Sequence, residues 1–423
     1  FYVAFIRPFR ALRPVPELAS SIAELPYDVM DSQEARDLIK KNPLSFIKVT
    51  RAEATLPENI ADNDPQVYEA AKNNLADYIS KGQLKQDAQP CYYIYRQQMG
   101  QYIQIGLVAV ASVEEYKQNI IKKHELTRVD KETDRVNHIM ATKAQTGPVF
   151  LAYRSQGLLN ALLLKFMGNH QPVYDFTSSD EIKHTLYVVD DPIRVGEITE
   201  LFKQVPHMYI ADGHHRSAAA LRVAEELAKR PNQTGEEEYN YFLSVIFPDT
   251  MLHILAYNRV VTDLKGLSVE AFMTAVAKNF TVEIQKREPE PKELHTFGMF
   301  IAGRWYSLKA KENTFKADDP IQSLDVSILQ NNLLTPILGI QDPRTDKRIS
   351  FVGGIKGTKK LEELVSDGKY AVAFAMYPTS MDQLMAVADK GLIMPPKSTW
   401  FEPKLRDAMT IHLIGDEQDG KSI

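Results

Sequence analysis

The sequence has almost no cysteine and no long apolar run. Cys91 is the single cysteine among 423 residues, so no disulfide can form within the chain. This usage favours a reducing compartment. No stretch of about 18 apolar residues occurs, which predicts no membrane span, and no secretory signal is recognisable. We therefore expect a cytoplasmic protein.

An excess of basic charge is also missing. The formal net charge is −5 at pH 7, whereas proteins that mainly bind nucleic acid present strongly basic surfaces. The negative net charge argues against nucleic acid as the partner, so we expect a small-molecule substrate. Zinc ligands at structural spacing are lacking too, because His214 and His215 would project about 100° apart on a helix. We expect no zinc, haem or flavin.

The most informative segment that is present is HMYIADGHHRSAAALRVAEELAKR, residues 207–230. Its apolar residues 208–211 are typical of a short buried strand. From Ser217 onward, apolar residues recur at helical spacing until Pro231 ends the pattern. The segment therefore predicts a strand, a turn at DGHHR and a helix that begins at that turn.

The turn combines residue types that suit an anion. The first N–H groups of a helix lack partners within it, and the helix dipole is positive there. Gly213 lets a ligand approach the backbone, and Arg216 adds a cation that can hold a phosphate at two points. His214 and His215 are candidate acid–base groups. The cluster, with Asp212, predicts a phosphate site; in a simpler interpretation, Asp212 only caps the helix.

A second cluster lies in KKHELTRVDKETDRVNHIMATKAQ. Glu125 is a candidate general base and, together with Asp212, a candidate ligand of Mg²⁺. Asp134 and His138 are four residues apart, so they share one face of a predicted helix. Such a stripe is also typical of a solvated helix face. The secondary candidates for the site are Asp28, His124, Asp134, Arg135 and His138.

A third cluster is the loop MPPKSTWFEPK. Its prolines stiffen the backbone, and a stiff loop holds side chains in place at low entropic cost. A lysine followed by two hydroxyl residues suits phosphate, although the glycines of a P-loop are absent upstream. We therefore expect Lys397, Ser398 and Thr399 to contribute to nucleotide binding.

The order of elements predicts a mixed α/β chain of the α+β class. Short strands such as CYYIYRQ, QYIQIGLVAVASV and GPVFLAYR alternate with helical patterns. FIKVTR is predicted as a strand, and YFLSVIFP and LHILAYNRVV as two paired strands. We divide the chain into an N-terminal α/β region, 1–230, which ends in the DGHHR segment, and a C-terminal α+β region, 231–423. The second region contains a charged insert near 265–320 and the MPPKSTWFEPK loop.

Several of these motifs together resemble a known family. PFRALRP, LPYDVMD, HELT…DR…H…T, GPVFLAY, YIADGHHR and MPPKSTWFEPKL…IH occur in the order that the bacterial domain-of-unknown-function family 1015 shows. They extend from Pro8 to His412, nearly the whole chain. The family takes its name from its lack of an assigned function, so membership alone implies no activity.

The DGHHR segment also resembles the ligand loop of the ParB/sulfiredoxin superfamily, one branch of which contains free-serine kinases. This resemblance implies a nucleotide-binding core in which Asp212, Gly213, His214, His215 and Arg216 form the loop that holds the phosphates of ATP or ADP, with Mg²⁺ as the companion of the nucleotide. It implies a kinase of serine metabolism that phosphorylates a free amino acid such as L-serine. Two alternatives stay open: a non-catalytic nucleotide-sensing regulator of ParB type, and a hydrolase of a phosphorylated metabolite. A homo-oligomer also stays open.

Overall fold

The chain divides into two compact units, and the computed structural model describes residues 3–285 and 290–415 of it. The first unit combines Phe1–Leu252 with Pro403–Ile423, and the second is His253–Glu402. Helices and mostly antiparallel strands intermix in both, so the chain has the predicted α+β class. No helix in the described ranges has both the length and the apolar character that crossing a bilayer requires.

The described helices are α1 Ala19–Ile22, α2 Ser32–Lys41, α3 Ile47–Thr50, α4 Pro65–Ser80, α5 Val113–Lys117, α6 Val129–Thr142, α7 Gly157–Asn169, α8 Pro192–Phe202, α9 His214–Leu227, α10 Val269–Asn279, α11 Asp325–Leu329, α12 Gly357–Ser366 and α13 Met381–Asp389. The strands are β1 Ile6–Arg7, β2 Leu12–Pro14, β3 Leu84–Gln86, β4 Tyr92–Met99, β5 Tyr102–Ser112, β6 Ile121–Lys122, β7 Ala144–Gln145, β8 Val149–Tyr153, β9 Tyr174–Thr177, β10 Lys183–Val189, β11 Met208–Asp212, β12 Tyr241–Pro248, β13 His253–Leu255, β14 Tyr257–Val261, β15 Phe280–Gln285, β16 Thr296–Ile301, β17 Arg304–Ala310, β18 Ile349–Gly353, β19 Val372–Ala375, β20 Trp400–Glu402 and β21 His412–Leu413.

The first unit is built on a nine-stranded mixed sheet of described residues. Eight strands follow the order β6-β11-β8-β12-β5-β4-β10-β9, and β1 pairs with β5. Two pairs are parallel, β6 with β11 and β8 with β12. Because β6 and β11 run in the same direction, the residues that follow each strand emerge side by side.

Helix α9 packs on this sheet through a small-residue face. Ala218, Ala219, Ala220 and Val223 are buried in the same apolar core as residues of β5, β8, β11 and β12. Small side chains allow the helix to approach the sheet closely. The burial fixes α9, and with it the turn that precedes the helix.

The C-terminal segment crosses back over the first unit. Strand β21 pairs with β7, and Ile411 forms a β-bridge with Leu12. Asp407 forms another bridge with Glu24. These contacts return residues from the far end of the sequence to the neighbourhood of β8 and α9.

The second unit contains a six-stranded antiparallel sheet in the order β15-β17-β16-β19-β14-β18. Within 265–320, which the sequence indicated as a charged insert, α10 and three of these strands are formed. The predicted pairing of YFLSVIFP with LHILAYNRVV is wrong. The first run, β12, pairs with β5 and β8, whereas β14 pairs with β18 and β19.

Candidate functional site

The DGHHR segment forms the turn between β11 and α9, as the sequence predicted. Gly213 has a φ of 98°, in the left-handed region that favours glycine. A Cβ at this position would lie 3.3 Å from Nε of Arg216 and 3.4 Å from Cα of Val149. The backbone angle therefore favours glycine at position 213, and a Cβ there would contact Arg216 and β8.

Asp212 does not cap α9 in the way that the simpler interpretation expected. Its Oδ1 accepts a hydrogen bond from the N–H of Gly213 at 2.8 Å, and its Oδ2 contacts Nζ of Lys404 at 2.9 Å. The N-cap residue of α9 is Gly213, which has no side chain to cap the first turn. Burial disfavours the charged form of Asp212, but Lys404 and Arg216 outweigh it and hold the pKa of this carboxyl below its usual range.

Arg216 reaches from the first turn of α9 into a cleft of the first unit. The half-buried guanidinium donates through Nη1 to the carbonyl of Pro148. The cleft encloses about 440 Å³ of space between atoms, a figure that includes open solvent. Its lining residues are Tyr27, Arg135, His138, Ile139, Gln145, Thr146, Gly147, Val149, Arg216, Phe242, Leu243 and Asp407.

The polar stripe of α6 is not a solvated face. Arg135 is buried, stacks over the ring of Tyr27 at 3.8 Å from its centroid, and donates to Asp134 at 2.7 Å. His138 is buried as well, and its Nε2 lies 2.9 Å from the carbonyl of Val49. Burial and then Arg135 lower the pKa of His138 to about 4. Thus Arg135 offers charge to the cleft, while His138 is held neutral against the backbone.

Asp407 is a cleft residue that the sequence did not single out. Its side chain is buried, and Oδ1 has no hydrogen-bond partner among the described residues. Burial raises the pKa of Asp407 to about 7, with Arg216 opposing this rise and Asp28 adding to it. Only a glycine at position 147 leaves room for the carboxyl, because a Cβ there would lie 2.5 Å from Oδ1. A buried carboxyl with a pKa near neutrality is suited to general base catalysis.

Asp28 contributes charge from a surface turn. It is exposed in the short helical turn Tyr27–Val29. Its negative charge acts on Arg216, His215 and Asp407. The LPYDVMD motif thus belongs to the same cleft as the DGHHR turn.

His124, Glu125 and His214 form a separate group beside the turn. The rings of His124 and His214 pack edge to face, 4.5 Å between centroids, and both are buried. A carboxylate oxygen of Glu125, which is about half exposed, lies 3.9 Å from Nδ1 of His214. Burial lowers the pKa of His124 to about 4 and that of His214 well below its usual value, so both imidazoles are neutral at pH 7. The pairing of β6 with β11 brings these histidines together.

The remaining candidates have other contacts. Nε2 of His215 accepts the backbone N–H of Arg128 at 3.1 Å. In the second unit, the hydroxyl of Ser398 donates to the carbonyl of Pro395 at 2.6 Å. Lys397 stacks over the ring of Tyr257, also in the second unit. Nucleotide binding by Lys397, Ser398 and Thr399 stays a prediction.

Fold and site together describe an α+β protein whose first unit carries an arginine-lined cleft at the amino end of a helix. The chain belongs to the family described as "Protein of unknown function (DUF1015)", whose model matches residues 6–327. The sequence resemblance to that family is thereby confirmed. No curated protein matches the chain.

Solved structures show only weak similarity. A conserved hypothetical protein from Pyrococcus furiosus has 14% identity and a TM-score of 0.34, with 73% of this chain and 95% of that chain covered. A free serine kinase in complex with AMP has 13% identity and a TM-score of 0.35, with 72% and 91% covered. SbnI with a C-terminal truncation, from Staphylococcus aureus, has 12% identity and a TM-score of 0.38, with 72% and 87% covered. Scores at this level do not establish a common fold, so the ParB/sulfiredoxin-like core stays a prediction.

Proposed function

We propose that this chain is a small-molecule kinase that transfers a phosphoryl group from ATP or ADP to the hydroxyl of a free amino acid such as L-serine. The observation that carries the proposal is the cleft itself, which places Arg135, Arg216 and the buried carboxyl of Asp407 together. Phosphoryl transfer depends on positioning and charge neutralisation more than on covalent chemistry. In this cleft, the two arginines would position and neutralise the phosphate groups, and Asp407 would act as the base.

The arginines are the phosphate ligands of the proposal. Arg216 lies in the first turn of α9, where the helix dipole favours an anion. Arg135 is fixed by its stacking on Tyr27 and its contact with Asp134. Because both guanidinium groups are already oriented, a bound phosphate orders few additional side chains. Mg²⁺ enters with the nucleotide, and Glu125 with Asp212 stay its predicted ligands.

Asp407 is the general base of the proposal. It accepts the proton of the acceptor hydroxyl, whose oxygen attacks the terminal phosphorus atom as the bond to the leaving nucleotide breaks. The pKa of about 7 lets Asp407 be ionised near neutral pH and still hold a proton effectively. Glu125 is the alternative base, although its carboxylate lies beside His214 instead.

The choice of L-serine rests on the resemblance of the DGHHR segment to free-serine kinases. The test is to incubate the protein with Mg²⁺, L-serine and either ATP or ADP, and to detect O-phosphoserine by mass spectrometry. Arg216→Ala and Asp407→Asn preparations serve as matched controls, because a contaminating kinase would remain active in them. Product from the wild type alone supports the proposal.

Two other results point to different functions. Tight nucleotide binding without product for any hydroxyl acceptor tried favours the nucleotide-sensing regulator. Release of phosphate from phosphoserine without nucleotide favours the hydrolase. Either result overturns the kinase proposal, because a kinase needs both nucleotide and acceptor.

A further inference from the structure

The group His124, Glu125 and His214 has the composition and spacing of a metal site. One ligand atom from each residue lies within 4.8 Å of the other two. Nδ1 and Nε2 of His124 and Nε2 of His214 are buried without a hydrogen-bond partner among the described residues. The Ile210 backbone lies near His124 but outside hydrogen-bond geometry. Buried polar atoms are normally paired, so unpaired ones need an explanation.

We propose that His124, Glu125 and His214 bind a divalent transition-metal ion of the zinc type. Two imidazole nitrogens and one carboxylate oxygen form a ligand set that proteins use for such ions, with a fourth position left for water or an anionic oxygen. The site goes beyond the proposed kinase activity and does not depend on it; it assigns Glu125 to this ion instead of to the Mg²⁺ that enters with the nucleotide.

The geometry requires only side-chain adjustment. Tetrahedral zinc with ligand distances near 2.1 Å separates its ligand atoms by about 3.4 Å. Glu125 is about half exposed, and its carboxylate already lies 3.9 Å from Nδ1 of His214, the first residue of α9. His124 is placed two residues beyond β6, whose parallel neighbour β11 leads directly into His214. The backbone therefore holds the two buried ligands, and the exposed carboxylate closes the site.

The chemistry favours a transition ion over Mg²⁺. Magnesium prefers oxygen ligands and retains several waters, whereas imidazole suits zinc and its neighbours. The sequence argument against zinc rested only on His214 and His215, which are adjacent in the chain. His215 instead contacts the backbone of Arg128, and the partner of His214 is His124.

The test uses tag-free, full-length protein stripped with a chelator and titrated with Zn²⁺ alone and Co²⁺ alone. We expect one Zn²⁺ per chain by mass spectrometry under native conditions, and visible absorption from tetrahedral Co²⁺. Glu125→Gln keeps the size of the side chain and should weaken Zn²⁺ binding by about 100-fold. His124→Ala should abolish tight binding. His215→Ala is the matched control, and its affinity should equal that of the wild type.

The outcomes separate cleanly. Loss of binding in Glu125→Gln, with a thermal melt like that of the wild type, supports the site, since unfolding does not account for it. Excess Mg²⁺ should fail to displace Zn²⁺. Zn²⁺ binding that is equal in the wild type, Glu125→Gln and His124→Ala overturns the proposal, as does the absence of stoichiometric binding at micromolar Zn²⁺.

Discussion

Nζ of Lys404 lies 2.9 Å from Oδ2 of Asp212, a contact between residues 192 positions apart. It ties the C-terminal segment to the turn that begins α9. Asp212 is also bonded to the N–H of Gly213. The lysine therefore orients the carboxylate that in turn holds the backbone of the turn.

Lys404→Met should lower the free energy of unfolding by about 1 kcal/mol at pH 7, because it removes the cation that contacts a carboxylate whose side chain is one-third exposed. The pKa of Asp212 is lowered in the folded protein, so the stability from this pair is present above the unfolded pKa near 3.8. It is lost as the pH falls through the folded value. The difference between variant and wild type in urea melts should thus shrink toward pH 2. Adding Asp212→Asn should restore most of the loss, and equal melts of Lys404→Met and wild type would contradict the contact.

Asp407→Asn should reduce kcat by about 100-fold or more and leave nucleotide affinity nearly unchanged, because an amide accepts no proton. The wild-type rate should rise with pH through about 7, the pKa of this carboxyl, and this rise should vanish in the variant. Steady-state kinetics between pH 5 and 9 supply both readouts. Should Glu125→Gln lose turnover instead, Glu125 is the base and Asp407 has a supporting role.

The raised pKa of Asp407 also predicts how the stability of the protein depends on pH. Its pKa is raised from 3.8 to about 7 on folding, so the folded state disfavours the ionised form. The contribution of Asp407 to the free energy of unfolding is therefore fully present below about pH 4 and is lost as the pH rises through about 7. Asp407→Asn should therefore gain stability relative to the wild type between pH 4 and pH 8 in thermal melts. A constant difference across this range would show that Asp407 titrates normally.

Arg216→Ala should weaken nucleotide binding by about 1.5–3 kcal/mol, the range for a lost charge-assisted hydrogen bond. Arg216→Lys should recover only part of this, because an ammonium lacks the planar fork. The matched control is Arg222→Ala, which removes a cation from the same helix but one that contacts Glu132. Calorimetric titration decides. Equal affinity in Arg216→Ala and Arg222→Ala would remove the DGHHR turn from the phosphate site.

Short sequence patterns predicted correctly those elements whose conformation depends on neighbouring residues in the chain. The strand, turn and helix around Gly213 follow from apolar spacing and a glycine. FIKVTR is the opposite case, because its β-branched residues indicated a strand, whereas Ile47–Thr50 is helical. Ile47 and Val49 each bury their side chain in a different apolar cluster, so tertiary packing overrides the intrinsic preference.

Contacts between residues that are far apart in the chain could not be predicted from the sequence. Asp407 reaches the cleft through its bridge to Glu24, and no short motif around Asp407 indicates this. The partnership of His124 with His214 likewise depends on the parallel pairing of β6 with β11. The residues within the local motifs were therefore predictable, but Asp407 and the grouping of the residues were not.

Gly147→Ala tests whether the cleft is as tightly built as the structure indicates. The added Cβ would meet Oδ1 of Asp407 at 2.5 Å, so the carboxyl must move. We expect a loss of about 1–3 kcal/mol in unfolding free energy and a sharp fall in turnover. Gly196→Ala in α8 is the matched control, because its Cβ would meet no atom within 4 Å, and it should gain about 0.5–1 kcal/mol. Combining Gly147→Ala with Asp407→Ala removes the clash, so stability should return while activity stays lost. If Gly147→Ala matches the wild type in both urea melts and turnover, the carboxyl of Asp407 does not lie against this backbone and cannot be the base proposed for the cleft.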